Sequence, residues 1–181
     1  IASWVDDLMV CGKKEACMEF KANIKQHFEI DDIGEMNEYV GCKIERHEDY
    51  MKLTQPVIVQ SLKDEFEVKE YDYVTPASPN TTISKCPEGV EVEPPAQRIF
   101  RKGVGKILHL VKWTRLEIAN ALRELSRGMT KASPAHMKGL ERLIAHILAT
   151  AERGRILKPK RKVDPDKAKE TLFELAGISD S

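Results

Sequence analysis

Apolar positions alternate with polar ones in some stretches of this chain and recur every three or four residues in others. The changes of period mark out its elements. In the opening "IASWVDDLMVCG", residues 2–5 and 8–11 are apolar or β-prone and flank Asp6 and Asp7, which tolerate turn geometry. This predicts a β-hairpin with acids at its tip. Over residues 13–28, Ala16, Cys17, Phe20, Ile24 and Phe28 recur at helical spacing, the stripe of an amphipathic helix that follows a turn at Gly12. In "EYVGCKIERHEDYMKLTQ", Val40, Cys42 and Ile44 alternate with polar residues, "RHED" makes a turn, and Met51 and Leu53 open a second alternating run. A second hairpin is expected there. "QPVIVQSLKDEFE" reads as a short helix with Pro56 in its first turn and Val59, Leu62 and Phe66 on one face.

Residues 68–95 have no helical period and concentrate five prolines among Ser, Thr and Asn, which predicts a long loop or linker. Helical stripes then return over 98–112, 115–129 and 133–150, with Ser133 and Pro134 as an N-cap and first-turn proline, and Thr114 as a cap for the helix after it. Their short connections predict a compact antiparallel three-helix bundle. Strand-like composition reappears at 156–163 and 172–179, the beginning of a new β element. The fold class is α+β.

Length and composition change this picture little. The chain has 181 residues, 41% of them apolar, enough for one ordinary domain or two small ones. The balance of 29 basic and 29 acidic residues hides a strong asymmetry. The first 75 residues hold seventeen acids against nine bases, whereas residues 98–162 hold seventeen bases against four acids. Such an excess exceeds what solubility needs, and phosphate backbones are its natural counterion, with a solvated helix face as the plainer alternative. Cys11, Cys17, Cys42 and Cys86 form no CxxC pair, so free thiols are expected. No apolar run reaches the roughly 20 residues that span a bilayer, which points to a soluble, intracellular protein. The chain starts at Ile1 without an initiator Met and stops just after a strand-like stretch, as a fragment of something longer would.

The chemistry lies with Asp6 and Asp7. Adjacent carboxylates raise each other's pKa unless a cation lies beside them, and a rigid hairpin carrying two of them suits Mg²⁺ (or Mn²⁺), which takes one or two carboxylates plus substrate phosphates. A turn aspartate with no ligand is the simpler reading of either residue alone. His27, His47, His109, His136 and His146 have no paired-ligand spacing and are expected at the surface or partly packed. There is no Walker loop and no dinucleotide-binding glycine set.

"SWVDDLMV", "FKANIKQHFEIDDIGEMNEYVGCKIER", "MKLTQPVIVQSLKDEF", "TPASPN" and "GKILHLVKWTRLEIANALRELSRGMTKASPAHMKGLERLIAHILAT" follow one another in an order that resembles the copia-type reverse transcriptases of LTR retrotransposons. The resemblance covers nearly the whole chain. It implies the C-terminal part of a polymerase palm with its primer-grip hairpin over 1–67, a linker over 68–97, a helical thumb over 98–152, and a connection with the start of a ribonuclease H-like domain over 153–181. It implies that Asp6 is the metal-binding carboxylate of the aromatic-Val-Asp-Asp box, with Asp7 in a supporting role. Trp4 stands where tyrosine is usual, keeping an aromatic surface and losing the phenol hydroxyl. "Asp32-Ile33-Gly34-Glu35" looks like the family's turn into the primer-grip hairpin that contains Gly41.

"Lys112-Trp113-Thr114-Arg115-Leu116-Glu117-Ile118-Ala119" is similar to a thumb-helix start, with Leu116 and Glu117 replacing the usual proline and aspartate. By the same resemblance Trp4 and Gly41 face nucleic acid and Asp180 is the first metal-binding aspartate of the ribonuclease H site, while the charge excess of the helical block makes Lys106, Lys112, Arg115 and Arg123 its candidate nucleic-acid contacts. "Lys158-Pro159-Lys160-Arg161-Lys162", which could pass for a nuclear localisation signal, lies in register with the connection to that domain. The implied partners are an RNA template and DNA primer, deoxynucleoside triphosphates and the remainder of the Pol polyprotein, in a cytoplasmic, particle-associated setting without a membrane. An isolated fragment of this kind is expected to be inactive. A degenerate, non-catalytic nucleic-acid-binding remnant is the alternative, and a metal-dependent hydrolase resting on the Asp pair alone is a third reading.

Overall fold

A computed structural model describes residues 1–4, 7–68, 75–79 and 82–158, without the side chains of residues 2, 4 and 7. The expectations for Asp6, Asp180 and the strand at 172–179 therefore lie outside the described residues. Ile1–Glu35 belongs to one compact unit and Met36–Lys158 forms another.

In the first unit, β1 (Ala2–Trp4) pairs antiparallel with β2 (Asp7–Met9), Trp4 opposite Asp7. Asp7 is the first residue of the returning strand, not part of the tip as the composition suggested. Helix α1 (Lys14–Lys25) follows, and none of its residues is buried. Cys17, Phe20 and Ile24 are only half-covered, while Met18 and Phe28 are exposed.

The second unit opens with a hairpin of β3 (Glu38–Tyr39) and β4 (Cys42–Arg46), joined through Val40 and Gly41. Both turn residues have positive φ, 50° and 71°, as the primed two-residue turns require. Gly41 accepts this freely, whereas a β-branched valine there is strained by about 1–3 kcal/mol. Strand β5 (Met51–Thr54) pairs with β4, so the predicted hairpin over "RHED" is present. Its register puts Cys42, Ile44, Leu53 and Met51 on one face and Lys43, Glu45, Lys52 and Thr54 on the other, in keeping with the alternation in the sequence.

Strand β6 (Arg155–Leu157) adds to the free edge of β5, giving the antiparallel order β3-β4-β5-β6. The described start of the segment expected at 156–163 thus extends the earlier sheet, while 159–163 lie outside the described residues. Gly154 makes the approach feasible, since a Cβ there would lie 2.2 Å from the Leu53 carbonyl oxygen.

Helix α2 (Pro56–Glu65) has Pro56 in its first turn, where a missing N–H costs nothing. Helix α3 (Pro94–Trp113) starts four residues before the predicted 98 for the same reason, with two prolines occupying its first turn. The stripe over 115–129 is broken: residues Leu116–Ile118 form a 3₁₀ turn and α4 spans only Ala119–Ser126. Helix α5 (Pro134–Ala149) is capped by Ser133 as predicted, in a capping box whose third helical residue is His136 in place of the usual Glu or Gln. The His136 Nδ1 accepts from the Ser133 N–H and shares a 2.8 Å contact with its hydroxyl.

One apolar core holds this unit together. It contains Leu62 of α2, Phe100, Val104, Ile107 and Leu110 of α3, Leu122 and Leu125 of α4, and Leu140, Leu143, Ile144 and Ile147 of α5. Val68, Ile83 and Val92 pack against it, so the stretch read as a linker contributes to the core. Compact packing therefore cuts across the expected boundaries at 67, 97 and 152. Two histidines expected at or near the surface, His136 and His146, are buried.

Candidate nucleic-acid interface and carboxylate hairpin

The carboxylate hairpin and the basic helices lie in different compact units, and each is taken by itself. In the hairpin, strand pairing places Trp4 and Asp7 opposite one another at the end of the ladder. The donor chemistry of two successive carboxylates suits a divalent cation. Among the described residues no three His, Cys, Asp or Glu side chains converge on one point. Later in the same unit, Asp32 Oδ1 accepts from Lys21 Nζ at 2.6 Å and from the Gly34 N–H at 3.0 Å. The Lys21 hydrogen bond, and after it the Gly34 N–H, holds the Asp32 carboxyl below its usual pKa. Gly34, at φ 76°, turns the chain there. The Asp-Ile-Gly-Glu segment is therefore a turn tied back to α1 by an ion pair.

Among the cations, local structure separates those already occupied from those left for a ligand. Arg115, expected to face nucleic acid, is 1% exposed. Its Nε pairs with Glu117, its Nη1 donates to the Thr150 carbonyl at 3.1 Å and its Nη2 to the Thr150 hydroxyl at 2.7 Å. The side chain turns inward to satisfy the C-terminus of α5, and this explains why the helical stripe breaks at 115. Arg115 is a structural clamp here, a correction to its assignment as an interface residue.

Thr114 likewise ends α3 instead of starting the next helix. Its hydroxyl donates to Gln55 Oε1 at 2.8 Å, and the Gln55 amide nitrogen lies 2.7 Å from His109 Nδ1. Lys106 is half-buried and held by Glu65 and the Ser61 hydroxyl, and Lys102 shares the same carboxylate. These two lysines, with Ser61, tie α3 to α2, and the Glu65 pKa is lowered by their hydrogen bonds.

Lys112 is exposed, its ammonium 5.3 Å from the centre of the Trp113 ring. Arg123 is 73% exposed and only 3.6 Å from Glu124 at its nearest, a weak surface contact. Gly41 sits exposed at the tip of the β3–β4 hairpin, beside exposed Tyr39 and Val40.

Sequence reasoning missed Gln97 and Arg98. Gln97 donates to the carbonyls of Gly128 and Met129 and accepts from the Ala132 N–H, while Arg101, one turn on, donates to the carbonyls of Met129 and Thr130. Together they latch the α4–α5 connection onto the start of α3. The i,i+4 spacing of Gln97 and Arg101 was visible in the sequence, but their acceptors are main-chain groups about thirty residues away.

No described helix is long and apolar enough to cross a membrane. The chain is similar to the retrovirus-related Pol polyprotein from transposon TNT 1-94 of Nicotiana tabacum, at 25% identity over 154 residues, 81% of this chain and 12% of that protein. It is also similar to the retrovirus-related Pol polyprotein from transposon RE1 of Arabidopsis thaliana, at 25% identity over 157 residues, 86% of this chain and 10% of that one. The chain thus spans about a tenth of the length of these curated relatives. No family model matches the sequence, and no solved structure matches the fold.

Proposed function

We propose that the chain is a segment of a copia-type reverse transcriptase within a retrotransposon Pol polyprotein. The observation that carries this reading is the similarity to two plant-transposon Pol polyproteins over more than four-fifths of the chain, in a sequence whose adjacent Asp6 and Asp7 lead into the returning strand of a β-hairpin that starts at Asp7. On this reading the β1–β2 hairpin belongs to the palm, the β3–β4–β5 strands to the primer grip, and α3 to α5 to the thumb, with ribonuclease H beginning near Asp180. Asp6 and Asp7 hold a divalent cation, and a carboxylate from elsewhere in the polyprotein completes the site. Mg²⁺ bound in such a site supplies charge neutralisation for an in-line displacement of pyrophosphate by a primer hydroxyl. The exposed cations of the helical unit position an RNA–DNA hybrid through its backbone, without reading sequence. The setting is cytoplasmic, in a particle formed by the parent element.

The departures at Trp4, Leu116 and Glu117 favour a second reading, a remnant that binds nucleic acid without catalysis. Template-directed nucleotide incorporation by a longer Pol segment that includes this chain separates the two. Asp6→Asn is expected to reduce incorporation at least a hundredfold, and Asp7→Asn less, while hybrid binding is unchanged. Undiminished incorporation by Asp6→Asn would overturn the assignment. The 181-residue chain alone is expected to incorporate nothing.

A further inference from the structure

The latch between α3 and the α4–α5 connection forms the floor of an open cleft of about 460 Å³, bordered by Glu91, Gln97, Arg98, Arg101, Thr130 and Lys131. Three cationic heads face one carboxylate. Lys131 and Glu91 are paired at 2.9 Å, so that pair contributes little net charge. Arg98 is exposed and makes no hydrogen bond or ion pair among the described residues. Among the described residues Arg101 is bonded only to main-chain carbonyls, through Nε and one Nη2 hydrogen. Its charge is not neutralised, and its other N–H donors remain for a ligand. Gln97 is fully engaged with the backbone and fixes the floor.

The geometry points to a seat for the phosphodiester backbone of nucleic acid in this cleft, with Arg98 and Arg101 as the phosphate donors and Glu91 as an internal competitor for Lys131. The inference rests on the nucleic-acid reading of the helical unit and adds to it a particular place and particular residues. An open trough, as opposed to an enclosed pocket, fits a polymer that passes through. Guanidinium groups match phosphate oxygens through paired donors. The surrounding segment's excess of bases supplies the long-range attraction.

The test is anisotropy of a labelled RNA–DNA hybrid titrated with the full 181-residue chain at several salt concentrations. Arg98→Ala, which leaves every internal bond intact, is expected to weaken binding roughly fivefold and to reduce the salt slope by about 0.9, the loss of one phosphate contact. Glu91→Gln releases Lys131 and is expected to tighten binding two- to fivefold. Lys63→Ala, at an exposed position of α2, is the control and should do neither. Inorganic phosphate and vesicles of phosphatidylglycerol with phosphatidylcholine are run alongside. Competition by phosphate only at millimolar levels, with no Arg98-dependent vesicle binding, supports a nucleic-acid backbone as the occupant. Vesicle binding that depends on Arg98, or hybrid binding that is absent or indifferent to both Arg98→Ala and Glu91→Gln, overturns the proposal. The polymerase reading stands or falls separately, on Asp6→Asn in the longer segment.

Discussion

Helix α1 carries Cys17, Phe20 and Ile24 along one face and buries none of them, whereas α3 carries Phe100, Val104, Ile107 and Leu110 at the same spacing and buries all four. The periodicity of the two helices is alike, and only the surroundings differ. Around α3 lie α2, α4 and α5, each with an apolar stripe of its own. In Ile1–Glu35 the other described element is a hairpin of two three-residue strands, too small to cover a helix and only marginally stable as a pair. An amphipathic stripe states which face can be buried, and the rest of the fold decides whether it is.

The sharpest way to break this comparison is to truncate an apolar residue in each region and follow denaturant unfolding by circular dichroism. Leu143→Ala, from a fully buried position, is expected to destabilise the Met36–Lys158 unit by about 2–5 kcal/mol. Phe20→Ala should stay within about 0.5 kcal/mol, because its site is not closed. Amide exchange should rank the same way, fast in α1 and slow in α3. Equal effects at Phe20 and Leu143 would mean that α1 has a packed partner after all.

A smaller effect concerns the polar interior that only the second region possesses. Arg115→Ala leaves the Thr150 carbonyl and hydroxyl without their donor and is expected to cost about 1–3 kcal/mol by urea unfolding. Hybrid affinity, measured on the folded fraction, should not change. A variant of undiminished stability with lost affinity would restore Arg115 to the interface.

The smallest effects separate the regions by pH. His136 is buried and its pKa lies below the ordinary 6.5 because burial disfavours the cation. As pH falls below 6.5 the unfolded chain takes up this proton before the folded one does, so the second unit loses stability, and His136→Gln should flatten that slope. Asp32 has a pKa held below 3.8, chiefly by Lys21 and then by the Gly34 N–H. Its contribution to the first region is complete above 3.8 and disappears only as pH falls through the lowered folded value. Thermal melts between pH 7 and 5 should therefore move for the second unit while the Lys21–Asp32 tie persists.

Much of the architecture was legible because it depends on neighbours in sequence. Ser133 before Pro134, Pro56 in a first turn, the alternation through Cys42, Ile44 and Leu53, and the stripe of α5 all act over a few residues, and the structure contains each of them. Arg115 misled for the opposite reason. A cation in a basic stretch looks like surface, and nothing within ten residues shows that Thr150, thirty-five positions on, will take its donors. Lys106 is similar, drawn to Glu65 across the α2–α3 contact. Of the candidate interface, Lys112 and Arg123 are exposed as a surface role needs, while the cleft at Arg98 depends on a connection about thirty residues away folding back over α3.

The sequence by itself determined the order and kind of most elements, the acidic and basic halves, and the presence of two adjacent carboxylates, because period, capping and composition act locally. Tertiary structure alone decided that β6 joins the sheet of β5, that the proline-rich stretch lends Val68, Ile83 and Val92 to the core, and which cations, such as Arg115 and Lys106, are taken up inside the fold. Those outcomes depend on close approach and pairing between groups far apart in the chain, where a missing Cβ at Gly154 or an unsatisfied carbonyl at Thr150 counts for more than any local pattern.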